Sequence, residues 1–149
     1  MPSAITTFKA TAELTSDFSV ECSARGHKFI LDETKSLGGK DGGMNPIEAT
    51  LSALGACQAI IAKLFAATRG IELKGFRMEL EGDIDVSAFE KIDAHPHIEA
   101  IRTKVFIQSD SNEEDIRDFI QFVEDNCPVA DILKNPAQMI PEVIIERDE

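Results

Sequence analysis

The chain has no Trp and no Tyr, so nine Phe must supply the aromatic bulk of any core. It is also poor in positive charge: 15 Lys and Arg stand against 27 Asp and Glu, a formal net charge of -12. That balance argues against nucleic acid and anionic membrane as partners, because neutralising phosphates takes clustered Lys and Arg. The acids are dispersed, with a mild run at Ser111–Asp115, as on a solvated surface rather than in a tail. The first residues hold no apolar run of signal-peptide length, and no segment reads as approaching the roughly 18 apolar residues of a membrane span. A cytoplasmic protein with no membrane association is therefore expected. The G-x-S-x-G and G-x-G-x-x-G patterns are missing, and "GGKDGG" lacks the order of a phosphate loop. Internal repeats and low-complexity segments are missing too.

Cysteine is scarce and odd in number: Cys22, Cys57 and Cys127. The spacing does not fit a zinc ribbon, and without a secretory context a disulfide framework is not expected. Reduced thiols, buried or reactive, are left. His95 and His97 flank Pro96 but have no third ligand at a useful spacing, so they read as an exposed turn, and neither metal nor cofactor is expected.

What is present suits one α+β domain over residues 1–149. Partial alternation in "ITTFKATAEL", "DFSVECSA" and "HKFILDE" predicts three strands, the first two turning near Ser16–Asp17. Cys22 then shares a strand face with Phe18 and Val20 and reads as a small core residue. A Gly-rich loop, "SLGGKDGGM", leads to Asn45 as N-cap, Pro46 at the first helical position and Glu48 as a capping-box acid. The helix that follows is apolar almost all round until Arg69–Gly70 stops it. Two alternating strands, "GFRMELEGDID" and "EAIRTKVFIQSD", come next, antiparallel across the loop at "DAHPH". An amphipathic helix capped by Ser111, a short helix started by Pro128 and a terminal strand, "PEVIIERDE", complete the order. One chain of this length can hardly cover so apolar a central helix on all sides. A homodimer that buries it between two subunits is the natural solution.

Three side chains invite a chemical reading. Cys57 lies mid-helix, too far from Pro46 for the helix dipole to act on its thiol, and is either a buried small hydrophobe or a reactive group. Cys127 sits at an N-cap before Pro128, where free amides favour a thiolate, although a cap that happens to be Cys would look the same. Glu48 stands nine residues before Cys57. At 100° per residue the two point to roughly opposite helix faces, about 180° apart.

"LDETKSLGGKDGGMNPIEATLSALGAC" followed by "DNCPVADIL" resembles the OsmC/Ohr family of thiol-dependent peroxidases. "AHP" before a strand at Glu99 is similar to the branch sometimes called YhfA-like. The resemblance covers nearly the whole chain. It implies an intertwined homodimer with the cysteine-bearing helices central. By position, Cys57 resembles the peroxidatic cysteine and Cys127 the resolving one, acting on organic hydroperoxides. A dithiol such as a lipoyl protein would be the reductant. Peroxidases of this family resemble one another in an N-terminal hairpin Arg and a Glu ten residues before the first Cys. The nearest positions here are Arg25 and Glu48, with Ile47 at the tenth. Two function classes stay open: a peroxidase, and a non-peroxidatic dithiol/disulfide or small-molecule binding protein of the same fold.

Overall fold

A computed structural model describes residues 4–148. Its element order is β1 (Thr11–Ser16), β2 (Ser19–Ala24), β3 (His27–Leu31), α1 (Pro46–Phe65), β4 (Gly75–Ile84), β5 (Ile98–Gln108), α2 (Glu113–Asp125) and α3 (Pro128–Lys134). Short 3-10 turns lie at Lys35–Leu37 and Val86–Glu90. The architecture is α+β, with a three-stranded sheet β1-β2-β3 and a two-stranded sheet β4-β5. The chain packs as two compact units. The first comprises the residues up to Ala53 with Leu80–Lys104, and the second Leu54–Glu79 with the residues from Val105 on.

In the first unit, β1, β2 and β3 form an antiparallel meander. Ala12 stands opposite Cys22, and Cys22 opposite Phe29. The β2–β3 turn is the two-residue loop Arg25-Gly26, with φ of 51° and 84°. That is the pattern of a type I′ turn, whose twist matches the flanking strands. Cys22 is half-buried and Phe18 and Phe29 are exposed, so this face is not the closed core expected of it.

The Gly-rich loop after β3 is built around Asp32, only 4% exposed. Its carboxylate accepts the N–H groups of Glu33 at 2.8 Å and Gly42 at 3.0 Å. Its own N–H donates to the Met44 carbonyl at 3.1 Å. Gly39 and Gly43 allow backbone to meet backbone: a Cβ would lie 2.0 Å from the Glu33 oxygen and 2.2 Å from the Ile30 oxygen respectively. The loop delivers Asn45, whose side chain accepts the Glu48 N–H at 2.9 Å and so caps α1.

Against expectation, α1 is not buried all round by its own chain. Only the stripe Leu54, Gln58 and Ala62 is buried, whereas Ile60 and Leu64 are 66% and 64% exposed. A single chain of this size covers one face of such a helix and leaves the rest. By length and composition alone α1 would also suffice to cross a membrane, contrary to the reading that no segment comes close. The core helix of a water-soluble fold passes the same test.

In the second unit, Ala62 of α1 and Ala66, in the turn just after it, meet Phe119 and Val123 of α2 and Ile71, with Phe65 and Phe122 packed against them. Small Ala side chains let the helices approach, and Phe fills the space beyond. The Phe65 and Phe122 rings meet edge to face at 5.3 Å, and Arg69 covers Phe122 at 3.6 Å. The β4–β5 pair is antiparallel, since Gly75 faces Gln108 and Gly82 faces Ile98. In the first unit, Arg102 of β5 bridges Glu81 and Asp83 of β4, and those contacts hold its guanidinium more firmly protonated.

Two local expectations are corrected. Asn112, not Ser111, caps α2, accepting the Glu114 N–H at 2.8 Å; the Ser111 hydroxyl accepts the Glu72 N–H instead. The terminal strand is not formed among the described residues. Val143, Ile144 and Ile145 are exposed, and a β-branched segment becomes a strand only where a sheet edge offers its backbone partners.

The amides of Glu33 and Gly42 hold the Asp32 carboxyl below the usual 3.8. A depressed acid stabilises the fold above its unfolded value and loses that contribution as pH falls through its folded value. Asp32→Asn should therefore melt at lower temperature than the parent at pH 7, with the gap closing below pH 3.8. Equal melting temperatures at pH 7 would show that the carboxylate does not close the loop.

Candidate active site

α1 carries Cys57 in the turn after Leu54, on the part of the helix that packs in the second unit. α2 packs on the same stretch of α1 through Phe119 and Val123, and ends at Asp125. The Asn126 N–H folds back onto the Phe122 carbonyl at 3.0 Å, and the chain turns at once into α3. Cys127 is the residue at that turn. It is 1% exposed, one of the two most completely buried large side chains among the described residues.

Two kinds of contact fix the Cys127 sulfur. It caps α3, accepting the Ala130 N–H at 3.4 Å. It also lies within hydrogen-bonding reach of the Cys57 side chain. The sequence expectation that helix-start amides favour a thiolate is overturned in its net outcome. Burial pushes the Cys127 thiol up, the Ala130 amide pulls only partly back, and the hydrogen bond to Cys57 raises it again. Cys57, by contrast, is half-buried and so open to solvent.

The fold thus brings Cys57 and Cys127 together. Cys22 lies on β2 in the first unit, opposite Phe29. Glu48 is an exposed residue in the first turn of α1, and Arg25 is an exposed turn residue; both belong to the first unit. No group of three or more metal-ligating side chains gathers among the described residues. Sequence reasoning did not single out Glu124 and Lys134, which form an ion pair at 2.8 Å between the last turn of α2 and the end of α3. The available signal was the opposite charge of Glu124 and Lys134 on either side of the Cys127-Pro128 helix start.

Residues 38–142 match the family model described as OsmC-like protein. The chain belongs to the OsmC family. A Mycoplasma genitalium protein named hydroperoxide reductase is 28% identical over 126 residues, 85% of this chain and 86% of that protein. A Mycoplasma pneumoniae protein of the same name is 27% identical over 132 residues, 89% and 90% of the two chains. Among solved structures, an OsmC-like protein from Mycoplasma pneumoniae superposes with a TM-score of 0.77 at 26% identity, covering 88% of this chain and 89% of that one. An organic hydroperoxide resistance protein from Legionella pneumophila shares the fold, with a TM-score of 0.69 at 19% identity over 89% of this chain and 93% of that one.

The contrast between the two OsmC thiols is directly measurable. With iodoacetamide at pH 7, Cys57 should be alkylated at least about tenfold faster than Cys127, since only thiolate reacts and burial blocks access. Peptide mass spectrometry reads this out, and unfolding should erase the difference. Equal labelling in the folded protein would contradict the burial of Cys127.

Proposed function

We propose that this protein is a thiol-dependent peroxidase that reduces organic hydroperoxides through Cys57 and Cys127. The observation that carries the reading is the contact between a half-open thiol and a buried one on packed helices. Membership of the OsmC family and the hydroperoxide reductase names of the two Mycoplasma relatives support it.

In this scheme the Cys57 thiolate attacks the terminal oxygen of R–O–O–H. The O–O bond breaks, R–O⁻ takes up a proton and leaves as the alcohol, and Cys57 becomes a sulfenic acid. The Cys127 sulfur then attacks the Cys57 sulfur. Hydroxide leaves and combines with the Cys127 proton as water, and a disulfide forms. An external dithiol, of lipoyl type or another thiol, reduces that disulfide by exchange and is itself oxidised. Cys57 receives both substrates because it is the accessible sulfur; Cys127 is closed off by its own chain. Ile60 and Ile61 follow Cys57 at helical spacing and give its surroundings an apolar character that suits an alkyl or aryl peroxide better than hydrogen peroxide. A reducing compartment such as the cytoplasm would keep the dithiol supplied.

The partner in assembly is a second copy of the chain. Ile60 and Leu64 on α1 and Val143, Ile144 and Ile145 near the C-terminus are more apolar surface than a monomer normally leaves to water. Analytical ultracentrifugation should give twice the 16.3 kDa chain mass. A species of single-chain mass at micromolar concentration would overturn the homodimer.

Activity is tested with cumene or tert-butyl hydroperoxide and dithiothreitol or dihydrolipoamide. Turnover should be abolished by Cys57→Ser. Cys127→Ser, which keeps a capping oxygen for α3, should consume about one peroxide per protomer and then stop, with the sulfenic acid trapped by dimedone. No turnover and no thiol loss on adding peroxide would sink the peroxidase reading. Exchange with dithiols alone would favour the non-peroxidatic dithiol/disulfide alternative.

A further inference from the structure

The short joint between α2 and α3 holds an ion pair that the thiol scheme above does not use. Glu124, in the last turn of α2, meets Lys134, at the end of α3, at 2.8 Å. Cys127 sits between the elements that carry them. Its N–H donates to the Glu124 carbonyl at 3.3 Å, and its carbonyl accepts the Asp131 N–H at 3.0 Å. Cys127 is the N-cap of α3, its sulfur folded over the first turn to accept the Ala130 N–H, and Lys134 is the last residue of the same seven-residue helix. Helical side chains lean toward the helix N-terminus, so a long Lys at that position reaches back toward the Cys127 end. The contact with Glu124 holds it in that posture.

We propose that Lys134, held by Glu124, is a positioning residue for the Cys127 sulfur, a cation that stabilises the thiolate form of Cys127. The purpose of this device rests on the peroxidase reading. Cys127 must give up its proton as it attacks the Cys57 sulfenic acid, and it must carry the electron pair away when the disulfide is reduced at Cys57. Its burial works against both steps. A cation reaching the site from the solvent side opposes that burial without opening the core.

The charge environment is mixed, and its signs can be assigned. Cys57 faces Cys127 from α1, and its hydrogen bond raises the Cys127 thiol. The amides of Ala130 and Val129 favour the thiolate. Glu124 and Asp125 at the end of α2 and Asp131 in the first turn of α3 are acids that oppose it. Lys134 is held more firmly protonated, first by its hydrogen bond to Glu124 and also by the charges of Glu124, Asp125 and Cys127. Cys127 is the smallest of the charges that favour the Lys134 ammonium; coupling between two charges is reciprocal, so the ammonium favours the thiolate by a small amount, less than the Ala130 and Val129 amides do. Lys134 is more than half exposed, so the effect is a screened one of modest size.

The test needs no peroxide, so its outcome stands apart from that of the activity assay. In a Cys22→Ser/Cys57→Ser background, Cys127 is the sole thiol, and its ionisation is followed by absorbance near 240 nm against pH. Lys134→Met should move the midpoint up by roughly half a pH unit, the size expected of one partly solvated charge. Lys134→Arg should restore the original midpoint, and 1 M salt should shrink the difference between the Lys and Met proteins. Circular dichroism checks that each variant is folded, and Lys134→Gln serves if the Met variant is not. In the unsubstituted protein, raising the salt concentration should shift the pH profile of diamide-driven Cys57–Cys127 disulfide formation to higher pH. An unmoved midpoint on loss of the Lys134 charge would overturn the proposal. So would a shift that Arg fails to restore, since that would trace to packing rather than charge.

Discussion

The packing of α2 against the second half of α1 is the contact on which the site depends. Ala62 and Ala66 are small enough for Phe119 and Val123 to seat on the helix, and the Phe65–Phe122 pair closes the joint. Because α2 ends almost as soon as that contact is made, the turn that follows it is held at the edge of the same core. Cys127, two residues past Asp125, lies in that turn, buried and within reach of Cys57. Nothing local to "DNCPVADIL" or to "ALGAC" brings the two sulfurs together; a hydrophobic cluster a few residues away from each of them does.

The same burial sets the chemistry. A thiol removed from water resists ionisation, and one hydrogen bond from the Ala130 amide offsets only part of that resistance. The pair is therefore asymmetric, with a closed sulfur that holds its proton and an open one that meets solvent. Such asymmetry suits a sequence of steps in which one thiol acts first and the other follows. It is also where a neighbouring charge matters most, since a small shift in the closed thiol changes how readily it enters the second step.

Much of the fold was legible in local sequence. The Asn45-Pro46 helix start, the hairpin turn near Asp17 and the antiparallel partnership of β4 and β5 all follow from turn chemistry and periodicity; α1 itself ends at Phe65, short of the expected Arg69-Gly70 stop, and 66–70 is a turn. The misreadings have a common cause. Ser111 and Asn112 are both competent caps, and the choice between them went to Asn112 because the Ser111 hydroxyl was taken by Glu72, distant in sequence. "PEVIIERDE" has the composition of a strand but no edge to join within the described chain. The apolar circumference of α1 was visible, while the division into a buried stripe and an exposed remainder was not. Each depended on a partner that a local pattern does not contain.

By itself the sequence determined the α+β class and the element order as far as α3, the N-cap role of Cys127 and, through the paired cysteine motifs, the family to which the chain belongs. Helix starts, turns and amphipathic faces depend on residues within a few positions of one another, so local chemistry suffices for them. Only the tertiary structure decided that Cys57 and Cys127 come within hydrogen-bonding reach, that burial outweighs the helix-start amide at Cys127, and that Glu124 and Lys134 pair across the α2–α3 joint. Those outcomes arise because desolvation and through-space charge depend on which distant segments the core draws together. A motif names the thiols; the low-dielectric surroundings that set their reactivity exist only once the chain has packed.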